Sequence, residues 1–255
     1  HLGALDGPAV VIMLGRSNVK KRSASIDSLL CELHARGLPV CWYERRGAYH
    51  ARLRAAALAR MEGEWLGALS ARHPSIGRLV TKGARLALKL RYPKRRYGLL
   101  AKWRVDTDAH EDFRLFLRLL PAQQVFIVSH SAGGLVASLA ESEPAVHRMI
   151  CFGYPFKHPD QPEDGLRTAH LAAIRKPFLI IQGDRDEYGG SEAITRYTLS
   201  PQITVRHIDA DHDYDLLGKP SMEKARQLML DFLMPHRALV GSMSGKTAVR
   251  EDDQE

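Results

Sequence analysis

Ser131 lies in the middle of VFIVSHSAGGLVASLA, positions 125–140, where an apolar run, a serine among small residues and a second apolar run follow one another. The pentad Ser129-His130-Ser131-Ala132-Gly133 has the form small-x-Ser-x-Gly, and the flanking runs predict a strand before it and a helix after it. A hydroxyl at such a corner can act as a nucleophile: its backbone is strained, which only small residues two positions before and after permit, and the N–H groups opening the helix can stabilise an anion. A serine nucleophile needs a base, and the base needs an orienting acid. Gly183-Asp184-Arg185-Asp186-Glu187-Tyr188-Gly189 offers two carboxylates, Asp186 in the loop proper and Asp184 closer to the preceding strand, where it suits a turn cap. Asp209-Ala210-Asp211-His212-Asp213 offers His212, which among twelve histidines is the one expected in a loop after a late strand. The chemistry these residues suit is acyl transfer. His130, inside the corner, reads as a packing residue beside the nucleophile.

The elements that must position these groups alternate. Strands are expected at Pro8–Leu14, Leu38–Tyr43, Gln124–Ser129, Arg148–Phe152, Pro177–Gln182 and Ile203–Ile208, each short, apolar and rich in β-branched residues. Helices are expected at Ser25–Arg36, stopped by Gly37, and at Asp108–Leu120, Gly134–Glu141 and Ser221–Leu233. Alternation of this kind implies right-handed crossovers and a mainly parallel sheet flanked by helices. In such α/β sheets ligands collect at the carboxyl ends of the strands, where Gly15, Glu44, Ser129, Gly153, Gly183 and Asp209 open their loops. Positions 1–234 are expected to form one domain, with 45–104 inserted in it, and 235–255 to be a polar, disordered tail.

Composition bounds the partners. With 255 residues, 45% hydrophobic and 26% charged, the chain reads as an ordinary globular protein. No apolar run approaches the roughly 20 residues of a membrane span, and Val10–Leu14 is too short for a signal segment and lacks a basic stretch before it. Cys31, Cys41 and Cys151 are widely spaced and odd in number, so they read as buried thiols of a reducing compartment, the cytoplasm, rather than as a disulfide framework or zinc site. The net charge of +8 is uneven: Arg45–Arg104 carries sixteen Lys and Arg against two acids, Glu62 and Glu64. Within it, Ile76–Leu90 sets Leu79, Val80, Gly83, Leu86, Ala87 and Leu90 on one helical face and Arg78, Lys82, Arg85 and Lys89 on another. Entering after the second strand, this run is expected either to pack with a solvated basic face or to cap the site, drawing in anionic substrates or docking on acidic surfaces.

The stretch GYPFKHPDQPEDGLRTAHLAAIRKPFLIIQGDRDEYG, 153–189, narrows the reading. Through it the chain resembles an α/β-hydrolase, and its GYPF, LRT, HL and QG-x-R-D elements resemble the hydrolase-like testis-expressed family, relatives of a chromatin-complex subunit and of dienelactone hydrolases. The resemblance runs from about Pro8 to Leu233, apart from the basic run. It implies Ser131 as nucleophile, His212 as base and Asp186 as acid, with the backbone N–H groups of Ala132 and, by analogy, Arg16 receiving the oxyanion. Dienelactone hydrolases proper carry cysteine where this chain has Ser131. The family's usual His-Gly after its first parallel strand is replaced here by Leu14-Gly15-Arg16, and the first glycine of the elbow by Ser129.

Other signals carry less. The stretch 241–247, GSMSGKT, has Val240 where a phosphate loop needs glycine, and no G-x-G-x-x-G follows a strand, so no nucleotide cofactor is expected. Asp209, Asp211, Asp213 and Asp215 alternate as in a calcium loop, but the required glycine and closing glutamate fall on Tyr214 and Pro220, so no metal is expected. The expected activity is a cofactor-independent serine hydrolase acting on a small-molecule ester or related acyl bond. The alternative is a catalytically silent hydrolase fold that binds an acidic partner, nucleic acid or an anionic membrane through the basic run.

Overall fold

Among the described residues, six strands form one parallel sheet in the order β2-β1-β3-β4-β5-β6. They are β1 (Ala9–Leu14), β2 (Val40–Tyr43), β3 (Gln124–His130), β4 (Val146–Phe152), β5 (Phe178–Gly183) and β6 (Ile203–Ile208). A computed structural model describes residues 1–16, 22–44, 71–77, 79, 80, 82, 83, 109–163 and 165–234. The helices are α1 (Ala24–Ala35), α2 (Ala109–Leu119), α3 (Ala132–Leu139), α4 (Ser191–Ile194) and α5 (Lys219–Leu233). All six strands expected from the sequence form, within two residues at either end, and the sheet is parallel throughout its described strand pairs. An isolated antiparallel bridge joins Leu2 to Val40 on the outer edge of β2.

Burial follows position in the sheet. The central strands β1, β3 and β5 are buried almost end to end, whereas the edge strands β2 and β6 are only partly covered. Because side chains alternate along a strand, Val11, Phe126, Val128, Ile150, Phe152, Leu179 and Ile181 face one way. There they meet α1 through Ile26, Leu29, Leu30 and Leu33, and α5 through Ala225, Met229 and Leu233. Cys151 points to the opposite face, toward α3, where a side chain on Gly134 would strike its Sγ. The α1 boundaries have local causes: Ser23 caps its start by accepting Ile26 N–H at 3.1 Å, and Gly37 takes φ 92° past its end.

By internal contacts the chain divides into two compact units, His1–Tyr43 with Arg118–Glu255, and Glu44–Leu117. The first holds the sheet. In the second, residues 71–72, 74–77, 79–80 and 82–83 are helical, and Phe113 and Phe116 of α2 stack at 6.2 Å. Of the expected apolar face in Ile76–Leu90, Leu79 is 71% exposed and Val80 half-buried. Lys82 is helical and exposed, whereas Arg78, Arg85 and Lys89 lie outside the described residues, as does the tail 235–255. Among the described residues no helix is long and apolar enough to cross a membrane. The cysteines are all free, but the expectation that they are buried holds only for Cys151. Helical spacing that turns Leu29, Leu30 and Leu33 inward leaves Cys31 on the outer face of α1.

Candidate active site

β1 lies between β2 and β3, so the chain leaves it in one direction along the sheet and later continues in the other. Loops diverge at such a switch point and leave a crevice at the carboxyl ends of the strands. Ser131 stands at that edge, directly after β3 and before α3. Its φ of 55° and ψ of −124° put it where L-residues rarely go. Two bonds fix this turn: Ser131 N–H donates to Phe152 O at 3.0 Å, and Gly134 N–H donates to Ser131 O at 2.8 Å. Gly133 is required by a close approach, since a Cβ there would clash with Leu14 O and come within 2.9 Å of Gly15 O. The exit of β1, with Leu14 paired in register to Ser129, is thereby held against the first turn of α3. Arg16 follows that exit and Ala132 opens the helix, the two positions expected to supply oxyanion donors.

His212 Nε2 lies 2.8 Å from Ser131 Oγ. On its other side His212 Nδ1 lies 2.8 and 2.9 Å from the two carboxylate oxygens of Asp186. All three residues are nearly inaccessible to solvent. The carboxylate is fully employed: Tyr188 N–H donates to Oδ1 and Gln182 Nε2 to Oδ2, both at 2.8 Å. An acceptor of four hydrogen-bonding contacts leaves Nδ1 as the donor, so Nε2 is the acceptor facing the serine hydroxyl. Asp184, the other carboxylate considered, is half-exposed and faces His207 Nδ1 at 3.6 Å, away from this cluster.

Neighbours lock the histidine in place. His130 donates from Nε2 to the carbonyl of His212 at 2.9 Å, and burial pushes its pKa down to about 4, so it is the neutral form that holds the loop. Its role therefore exceeds the packing expected from sequence. Tyr214 takes φ 53° and donates its hydroxyl to Ile181 O at 2.8 Å. Burial raises its pKa well above the phenol range and keeps that donor protonated. Ser23, besides capping α1, donates to Tyr214 O at 2.6 Å, and Ser25 accepts from Leu217 N–H at 3.0 Å, tying the histidine loop to α1. Arg16 forms an ion pair with Asp213. Gly153, at φ 60°, leaves space beside the acid–base pair, since a Cβ there would stand 2.9 Å from Asp186 Oδ2 and 3.3 Å from His212 Nδ1.

Sequence reasoning placed Gly153 only as the start of a candidate loop and missed Gln182, Tyr188 and Tyr214. Gln182 had a usable signal, as a polar residue closing the otherwise apolar FLIIQ strand must find partners inside. It finds them in Asp186 and in Tyr154 N–H, which its Oε1 accepts at 2.9 Å. Three of the four alternating aspartates have protein partners for their side chains: Asp209 pairs with Arg185, Asp213 with Arg16, and Asp211 Oδ1 accepts Asp213 N–H at 3.0 Å. Among the described residues no group of three or more His, Cys, Asp or Glu is arranged to hold a metal ion.

A comparison with curated proteins finds no match. Among solved structures the chain is similar to one of the metagenome-derived lipolytic enzymes LipS and LipT, at 13% identity and TM-score 0.55, over 90% of this chain and 95% of that one. It is similar also to the thioesterase domain from the curacin biosynthetic pathway, at 11% identity and TM-score 0.53, over 89% of this chain and 92% of that one. Against an esterase of Pyrococcus furiosus it aligns at 18% identity and TM-score 0.41, over 50% of this chain, and spans 62% of that protein's length. At these identities the likeness is one of fold. The family model described as "Alpha/beta hydrolase domain" matches residues 83–232. That stretch is more than half of the chain and carries Ser131, Asp186 and His212. The chain belongs to the alpha/beta hydrolase domain family.

Proposed function

We propose that the protein is a serine hydrolase that cleaves an ester or related acyl bond of a small molecule through an acyl-enzyme intermediate. The observation that carries this reading is the His212 ring, within hydrogen-bonding distance of Ser131 Oγ on one side and of Asp186 on the other. As Ser131 Oγ bonds to the acyl carbon, its proton passes to His212 Nε2 and the carbonyl π pair moves to oxygen. The Asp186 carboxylate stabilises the imidazolium so formed. The backbone N–H groups of Ala132 and Arg16 are the proposed donors to the oxyanion. Collapse expels the alcohol, which leaves with the proton from Nε2, and water then repeats the sequence to release the acid. No metal or cofactor enters this chemistry.

Within the family we place the chain in the hydrolase-like testis-expressed and dienelactone-hydrolase-related branch, on the GYPF and QG-x-R-D elements quoted above. Its free thiols support a reducing compartment, the cytoplasm. A second reading, a silent fold docking an acidic partner, is favoured by one observation, the excess of sixteen basic over two acidic residues in Arg45–Arg104.

Labelling by a fluorophosphonate probe, with hydrolysis of short p-nitrophenyl esters alongside, tests the main reading. Ser131→Ala should abolish both, and Asp186→Asn should lower turnover by about 10⁴-fold while Asp184→Asn stays near the parent. A parent that is neither labelled nor active leaves the second reading standing, and equal losses in the two aspartate variants would remove Asp186 from its role.

A further inference from the structure

Tyr188 lies two residues beyond Asp186 in the loop that follows β5, and its backbone is anchored on both sides. Its N–H donates to Asp186 Oδ1 at 2.8 Å and its carbonyl accepts Lys157 N–H at 2.9 Å. The next residue, Gly189 at φ 141°, is pressed against Phe156, where a Cβ would meet the Phe156 Cβ at 3.0 Å. So held, the Tyr188 ring stacks on the His212 imidazole with centroids 4.1 Å apart and planes at 29°. His158 meets the Tyr188 ring at 5.6 Å with the two planes nearly perpendicular, and His158 Nδ1 accepts Asp160 N–H at 3.1 Å.

A ring in this position can act in two separable ways. Dispersion and shape hold the imidazole in one orientation whatever its charge. The ring quadrupole acts differently, because its negative face attracts a cation far more than a neutral ring. In the proposed reaction His212 becomes an imidazolium as it takes the Ser131 proton. An interaction that strengthens at that moment lowers the barrier rather than merely tightening binding. The other charged and titratable groups approach His212 differently. Asp186 meets Nδ1 at the ring edge, His130 is tilted at 5.9 Å, and Arg16 and Asp213 form an ion pair with Asp213 next in the chain.

We propose that Tyr188 is a positioning residue of the site, whose stacked ring face stabilises the imidazolium that His212 forms during acylation and deacylation. The proposal rests on the Ser131-His212-Asp186 reading and adds to it a group that never touches substrate. It calls for aromatic character at position 188 and for an electron-rich face, but not for the hydroxyl.

The test places Phe, Leu and pentafluorophenylalanine at position 188 of the full chain. Each is followed by p-nitrophenyl acetate kinetics, fluorophosphonate labelling rate and melting temperature. Pentafluorophenylalanine keeps the ring's shape and reverses its quadrupole, so it decides the matter even if Tyr188→Leu fails to fold. Tyr188→Phe should stay within about twofold of the parent in kcat. The pentafluoro variant should fall about tenfold in kcat and labelling rate, with KM and melting temperature unchanged. A pentafluoro variant as fast as Tyr188→Phe overturns the electrostatic role, and so does Tyr188→Phe falling as far as Tyr188→Leu. A parent that neither turns over ester nor takes the label overturns the hydrolase reading itself and this inference with it. The two failures are therefore told apart by the parent alone.

Discussion

Gln182 donates its amide Nε2–H to Asp186 Oδ2 at 2.8 Å, while its Oε1 accepts Tyr154 N–H at 2.9 Å. The second bond decides the first: a backbone N–H can only donate, so the amide oxygen is committed to it and the NH₂ must face the carboxylate. Gln182 is wholly buried, so neither bond competes with water. The acid is therefore steered from the strand below it as well as from the loop that carries it.

Replacing Gln182 by Met keeps most of the volume and removes both bonds, leaving Asp186 Oδ2 and Tyr154 N–H each short of a buried partner. We expect a loss of about 1–3 kcal/mol in stability and a fall in kcat of about tenfold or more. Denaturant melts and ester kinetics on the same preparation check both. Gln182→Met with parental kcat would show that the loop alone holds Asp186.

The backbone of Ser131, at φ 55° and ψ −124°, is a second consequence of the site. Glycine adopts such angles without the steric penalty an L-residue meets. Ser131→Gly should thus be inactive and also more stable than the parent by about 1 kcal/mol, a rise in melting temperature of about 2–4 °C. Ser131→Ala keeps a Cβ and should show no such gain. Calorimetry on the two variants measures the strain directly.

His130 predicts a pH dependence of stability. Its folded pKa of about 4 lies below the ordinary histidine value of 6.5, so between these the unfolded chain binds a proton that the folded one excludes. Stability rises with pH wherever the unfolded state holds more protons. His130 therefore costs nothing above about pH 6.5 and progressively destabilises the fold as pH falls toward 4, by about 2–3 kcal/mol in all. His130→Gln should lower stability at pH 7.5, through loss of the bond to His212 O, but flatten its decline toward pH 4.5. Urea melts across that range separate the two effects.

The basic run is testable without knowledge of its placement. Reversing Arg78, Lys82, Arg85 and Lys89 together should weaken binding to anionic vesicles or DNA, or slow turnover of anionic but not neutral esters, and the difference should shrink steeply with added salt. If neither surface binding nor ester preference moves, the charges form only a solvated face.

The positions of Ser131 and His212 were legible in sequence because each interrupts a pattern. One breaks an apolar strand–helix run with a hydroxyl, and the other follows the last apolar strand. Asp186 was preferred to Asp184 already in sequence, as the carboxylate in the loop proper, and the fold sets it against His212 while Asp184 faces His207. Gln182 shows in sequence only as a polar end to an apolar strand and Gly153 only as the start of a loop, whereas Tyr188 acts through a distance across the sheet edge that no local pattern encodes. The same holds for Ser23 and Ser25, whose bonds to Tyr214 and Leu217 join opposite ends of the chain. Cys31 was misjudged because composition says how often a thiol is buried, whereas helical phase says which one is.

Leu14 pairs with Ser129 in the sheet although the whole of Glu44–Leu117 lies between them in the chain. On a ribosome adding about 5–20 residues per second, β1 waits several seconds for the neighbour that will cover it. His212 emerges later still, after β6. The contact between His212 and Ser131 is thus among the last the nascent chain acquires, and an interrupted synthesis releases a fragment without it.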